Sequence, residues 1–224
     1  MLFDLYMRSP RPSTGHTTVL LYEIVERGPY RLKARAERQT QTRLRITEAT
    51  VELHATVGPA RTTVTAVAQR AGVDRLTVYR HFPTQRDLFT ACSAHAQELH
   101  PPPDPTAWAS VAVPDRRLEL ALRELYAFYA ANEGLLANVL RDSETMPLVR
   151  ELSAPRRAYI EDVRSLLAHG WKVRGRRRAL LLAAIGHALE FSTWRSLERL
   201  RGLTAGEAAQ LMTAAARCAV TVSG

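Results

Sequence analysis

The chain has 224 residues, 46% of them hydrophobic, with 31 Lys plus Arg against 22 Asp plus Glu for a formal charge of +9. That length allows a small N-terminal domain and a larger one behind it, each with its own core. No run approaches the roughly 18–20 apolar residues of a membrane span, no secretory pattern opens the chain, and Cys92 and Cys218 stand alone, without metal-ligand spacing. The expected setting is the reducing cytoplasm, away from any membrane.

The basic excess is local. Residues 31–90 hold eleven Lys plus Arg and five Asp plus Glu, so +6 of the +9 lies in that window. Affinity for a polyanion grows with the number of phosphates neutralised, so this placement favours nucleic acid as partner.

Residues 1–39 read as a basic, flexible extension. Pro10 and Pro12 mark a loop, and 18–25 (TVLLYEIV) is a short apolar run that suits a strand or a helical turn, broken at Gly28-Pro29. From Arg31 to Arg45 the chain carries Arg31, Lys33, Arg35, Arg38, Arg43 and Arg45 against Glu37 alone. Two readings stand: a basic arm that reaches a minor groove, or a hydrated extension. A helix over 38–56 then offers Leu44, Ile46, Ala49, Leu53 and, just beyond, Val57 to a core, and Gly58-Pro59 ends it.

The next segment, TTVTAVAQRAGVDRLTVYRHFPTQRDLF over 62–89, is the most informative in the chain. Val64, Val67, Ala68 and Ala71 recur at the spacing of one buried helical stripe, and Gly72 follows where helices end in a left-handed turn. Val73 returns to the core, and Asp74 caps a second helix over 75–82. There Val78 and Phe82 face inward, leaving Arg75, Leu76, Thr77, Tyr79, Arg80 and His81 on the exposed side and flanks. Arg75 can fork onto a guanine edge, Leu76 can touch a thymine methyl, and Thr77 and Tyr79 can donate to phosphate. Pro83 and Thr84 open the following helix, QRDLFTACSAHAQEL. The pattern is a helix-turn-helix.

The run Ala68-x-x-Ala-Gly-Val-Asp-x-x-Thr-Val-Tyr-Arg-His-Phe82, with about twenty helical residues before it and a Leu-Phe helix after it, resembles the TetR family of bacterial transcriptional regulators. The resemblance covers about residues 40–95. It implies an all-α homodimeric repressor: an N-terminal three-helix DNA-binding domain, and a C-terminal helical ligand-binding and dimerisation domain whose small-molecule effector releases a near-palindromic double-stranded operator. By position it assigns DNA contact to Thr63, Thr65, Arg75, Leu76, Thr77, Tyr79 and His81. The chain departs from the family pattern at Leu76, where a small residue or Pro is usual, and at Gln85, near the place of a frequent Lys. Arg86 is the candidate to supply that charge one position along.

PPPDP at 101–105 is the strongest boundary, because proline at this density cannot continue a helix. It divides a DNA-binding domain, 40–99, from a regulatory and dimerisation domain, 106–224. Helices are expected over 116–131, 135–140, 147–170 and 176–201, then a last one opened by the Thr204/Glu207 capping-box spacing. The final two are apolar around most of their circumference, so they are the expected homodimer interface. An effector cavity would draw on Trp108, Arg123, Tyr126, Tyr129, Asn138, Trp171, His187 and Trp194, with Tyr126, Tyr129, His187 and Trp194 as the ligand-binding candidates.

The alternatives are a regulator of this fold with no small-molecule effector, and a helical-bundle metal enzyme built on His187 and Glu190. The second lacks a repeat of its Glu/His pair on a facing helix, and neither a nucleophile elbow nor a phosphate loop occurs. No catalytic residue, metal site or cofactor is expected.

Overall fold

The computed structural model describes residues 15–221, and the side chains of residues 32–221. All regular structure among them is helical. The chain separates after Arg45 into two units, 1–45 and 46–224.

Helix α1 (Gly15–Thr56) is continuous from the first unit into the second. The run 18–25 is helical, and neither Gly28 nor Pro29 breaks it, which corrects the break expected there. Proline removes a single backbone donor, and the Leu, Lys, Ala, Arg, Glu and Gln residues of 32–41 that follow are strong helix formers, so the ladder resumes beyond it. The Pro10 and Pro12 stretch lies outside the described residues. The basic side chains of 33–45 are exposed.

In the second unit, a short 3-10 turn (Pro59–Arg61) leads to α2 (Val64–Ala71), α3 (Arg75–His81) and α4 (Gln85–Leu99). Gly72 takes the left-handed conformation, φ 64°, and its amide bonds back to α2 carbonyls, so the turn needs the residue without a Cβ. Ile46, Ala49, Val67, Ala68, Val78, Phe82, Leu88 and Phe89 form one cluster. Each large member contributes about 1.5–3 kcal/mol of burial. Leu44 and Val57, expected in that core, are 44% and 38% exposed, being at the two ends of the packed stretch. Pro83 lies just ahead of α4, whose cap is Thr84 in a capping box with Asp87.

Beyond the proline run come α5 (Pro105–Ala109), α6 (Pro114–Ala131), α7 (Glu133–Ser143), α8 (Pro147–Leu152), α9 (Ala154–Leu167), α10 (Gly175–Ala188), α11 (Phe191–Arg195), a π-helical turn (Ser196–Leu200) and α12 (Ala205–Thr221). The helix expected over 147–170 is two, divided at Ser153, and that expected over 176–201 breaks at Leu189 and Glu190. There the Tyr126 and Tyr129 hydroxyls donate to the Ala188 and Leu189 carbonyls at 2.8 and 2.6 Å, satisfying acceptors that a continuing helix would have used. The Thr204/Glu207 capping box opens α12. Trp108, Leu118, Leu122, Tyr126, Ile185 and Trp194 lie in the larger core.

The end of α1 is held by α7. Asn138 donates from Nδ2 to the His54 and Ala55 carbonyls, Arg141 donates to Val57 O, and the Ala60 amide donates to buried Asp142 at 2.8 Å. Gly58 sits inside this clamp at φ 93°, where a Cβ would stand 2.6 Å from Asp142 Oδ2 and against the Arg141 guanidinium. Gly58→Ala is therefore expected to cost about 1–3 kcal/mol from the backbone conformation alone, read as a lowered denaturation midpoint. An unchanged midpoint would mean the clamp tolerates displacement.

Candidate functional site

The helix-turn-helix owes its geometry to two caps. Thr63 Oγ1 accepts from the Ala66 amide and starts α2. Asp74 Oδ1 accepts from the Thr77 amide at 2.6 Å and starts α3, with the Thr77 hydroxyl donating to Oδ2. These hydrogen bonds hold the Asp74 carboxyl below the usual range, so the cap is charged at neutral pH. Val78 and Phe82 then anchor the inner face of α3.

The outer face presents Arg75, Leu76, Tyr79 and Arg80. Leu76 is 79% and Tyr79 44% exposed. An apolar side chain this bare on a short capped helix between two Arg residues is what a groove-reading surface needs and a monomer's stability does not. Thr63 and Thr65 are exposed at the start of α2, where amides and hydroxyls can meet phosphate; His81 is half-buried at the end of α3.

Two expected contacts are placed differently. Thr77 is only 8% exposed: its hydroxyl faces the Asp74 cap and accepts from Arg80 Nη2 at 2.9 Å, so it braces α3. Arg86 is held by a carboxylate rather than left free for phosphate: Nη1 and Nη2 meet Glu151 Oε1 and Oε2 of α8 at 2.6 and 2.8 Å. Its position in the first turn of α4 brings it to α8, a contact that spacing along the chain could not reveal.

A cavity of about 260 Å³ opens between α4, the end of α1 and helices α6 to α9. Phe89, Cys92, Phe128, Leu136, Val139 and Ile160 supply apolar wall; His54, Ser93, Gln97, Asn132, Arg156 and Tyr159 supply polar atoms. Burial pushes the Cys92 thiol up to about 12 and the Tyr159 hydroxyl up to about 12, so both stay protonated.

Of the residues expected at such a cavity, only Tyr129 lines it. Tyr126 is fully buried on the Ala188 carbonyl, and Trp194 is fully buried in the core with Arg199 4.9 Å from its ring. His187 is exposed at the end of α10 beside Thr193. Glu190 lies beyond the helix break, so His187 and Glu190 share no helix face. Among the described residues no group of three or more His, Cys, Asp and Glu could hold a metal ion. None of the described helices is long and apolar enough to cross a membrane. The residues missed, His54, Phe89, Cys92 and Arg156, come from elements whose apolar spacing reads as plain core or whose charge reads as hydrated surface.

Residues 46–92 match the family described as bacterial regulatory proteins, tetR family. None of the curated proteins matches the chain. Among solved structures, a Clostridium perfringens protein provisionally named a fatty acid metabolism regulator is 19% identical, with 80% of this chain and 100% of that one covered at a TM-score of 0.59. A TetR-like transcriptional regulator from Rhodococcus sp. RHA1 is also 19% identical, with 79% and 93% covered at 0.59. The transcriptional regulator FadR from Bacillus subtilis, solved in complex with stearoyl-CoA, is 18% identical, with 80% and 97% covered at 0.52. Residues 46–92 are therefore a helix-turn-helix domain of the tetR family of bacterial regulatory proteins, set in an all-helical chain with the fold of TetR-family transcriptional regulators.

Proposed function

We propose that the protein is a ligand-responsive transcriptional repressor, non-catalytic and cytoplasmic, that binds a palindromic double-stranded operator as a homodimer. Residues 40–99 carry the DNA-binding domain and residues 106–224 the regulatory and dimerisation domain. The observation that carries this reading is the exposure of Leu76 and Tyr79 beside Arg75 on the capped helix α3. Arg75 and Leu76 read bases, while Thr63, Thr65, Tyr79 and His81 meet the sugar-phosphate backbone.

The dimer forms through α10 and α12. Beneath them Leu181, Ile185, Ala208, Ala209 and Met212 are consumed by the protein's own core, yet Leu211 is half exposed and Ala183 and Ala215 are bare. These small and apolar residues suit close approach of a second copy. Two α3 helices would then enter successive major grooves about 34 Å apart, or a small multiple.

The effector occupies the cavity against α4. A ligand there touches Phe89, Cys92 and Ser93 of α4 and His54 of α1, so filling it displaces the helices that carry α3. A coupling of about 1–3 kcal/mol suffices for release. The stearoyl-CoA complex of the Bacillus subtilis structure supports a ligand site in this fold.

The test is a mobility shift on the DNA upstream of the gene, with light scattering on the free protein. A shifted inverted repeat, released by a compound that raises the melting temperature, is the expected result. A monomer mass at micromolar concentration would overturn the dimer, and no protected nucleotides at low salt would overturn the DNA reading.

A further inference from the structure

Among the described residues, Arg156 of α9 is a largely buried charge that no opposite charge answers. The buried Arg117 is answered, donating to the Val111, Leu166 and His169 carbonyls, and Arg164, whose Nε is also covered and unpartnered, is neutralised through Nη2 by Glu161. Arg156 is largely buried, its Nε is fully covered, and it has no hydrogen-bond or ion-pair partner among the described residues. Burial lowers its pKa; the Tyr129 hydroxyl acts the other way and the neighbouring Arg157 adds to the lowering. A guanidinium cannot shed its proton at ordinary pH, so the cost of burying it stands until an anion arrives.

The cavity has the matching deficit. Its lining includes Arg156 but no Asp or Glu. Its one buried histidine, His54, is neutral, because burial holds its pKa at about 4 against the pull of Asp142. On its outer side Arg156 borders an open groove whose carboxylates are Glu133, Glu144, Glu161 and Glu190, and none of them pairs with it. The remaining wall is largely apolar, and about 260 Å³ lies just below the usual range of about 300–1,000 Å³ for small-molecule sites.

We infer that the effector is a small amphipathic carboxylate, its apolar chain or ring lying between Phe89, Phe128 and Ile160 and its single negative charge forked onto Arg156. This rests on reading the cavity as the effector site. One unpaired cation and no second charged donor select a monoanion, and the planar guanidinium fits a carboxylate in bidentate fashion.

The test titrates the full-length protein with octanoate, 1-octanol and octylammonium, followed by calorimetry and melting temperature. Octanoate is expected to bind at least about tenfold more tightly than octanol, with octylammonium weakest. Arg156→Gln is expected to erase the preference for octanoate while leaving octanol binding unchanged, and Arg156→Lys to keep part of it. Circular dichroism checks that both variants fold, and the wild-type ranking alone decides the matter if they do not. Equal binding of octanoate and octanol, or a preference that survives Arg156→Gln, overturns the anion assignment and leaves the cavity as a neutral-ligand site. Failure of all three probes to bind overturns the effector site itself.

Discussion

Replacing Arg75 by Ala is expected to cost about 1–3 kcal/mol of operator affinity, roughly five- to 150-fold, and to relax base preference at one or two positions per half-site. The expectation follows from position and freedom. Arg75 opens α3 immediately after the Asp74 cap and is exposed, without a protein partner among the described residues, so its fork is available to a guanine edge. Leu76→Ala should lose discrimination as well, but through apolar contact with a thymine methyl, and so without changing the salt slope. Tyr79→Phe should instead weaken all sequences alike, because a phosphate contact carries no sequence information. Anisotropy titrations on an operator series at several salt concentrations separate the three. Arg75→Ala binding like wild type would show that α3 is not read out by this residue.

The helix-turn-helix was legible because each of its signals is local. Gly72, the Asp74 cap and the inward pair Val78 and Phe82 act within one or two turns, and they form the observed structure. Thr77 misleads for the same reason: helical spacing gives the side of α3 but not the hydroxyl's competing bond to its own cap. The long helices beyond residue 114 were legible as helices and illegible at their breaks. The turn at Leu189 and Glu190 depends on hydroxyls of Tyr126 and Tyr129, about sixty residues away in sequence. Those bonds also explain why Tyr126, which suits a cavity by composition, is spent on a helix end, while Tyr129 caps one and lines the cavity as well. The cavity was least legible. Its walls come from α1, α4 and four further helices, and Arg156 among basic neighbours looks like ordinary surface until its burial and lack of a partner are seen.

Lowering the pH from 7 to 4 is expected to remove about 3 kcal/mol of folding stability through His54 alone. His54 is 4% exposed, edge-on to Phe89 at 4.5 Å, with Nδ1 3.4 Å from Cys92 Sγ. Cys92 and Nδ1 share one hydrogen-bond contact, its direction set by the imidazole tautomer. Burial lowers the pKa to about 4, opposed by the charge of Asp142, against 6.5 for the free side chain. Between these values the unfolded chain binds a proton that the folded one refuses. Stability from this group is thus fully present above about pH 6.5, falls as pH drops, and levels off below about 4. Asp142 contributes in a separate window. Burial works against its ionisation, but the Arg141 guanidinium, the Ala60 amide and the charge of Arg61 outweigh it and depress its pKa. Its share is lost only below about pH 4, the ordinary carboxylate range. Melting curves from pH 7.5 to 4 should therefore show a fall of about 6–12 °C for wild type that is largely absent in His54→Gln. Parallel curves for the two proteins would show that His54 is not held neutral. Because Asn138 grips the His54 carbonyl and the ring lines the cavity, the same titration should also weaken operator binding in mild acid, before global unfolding.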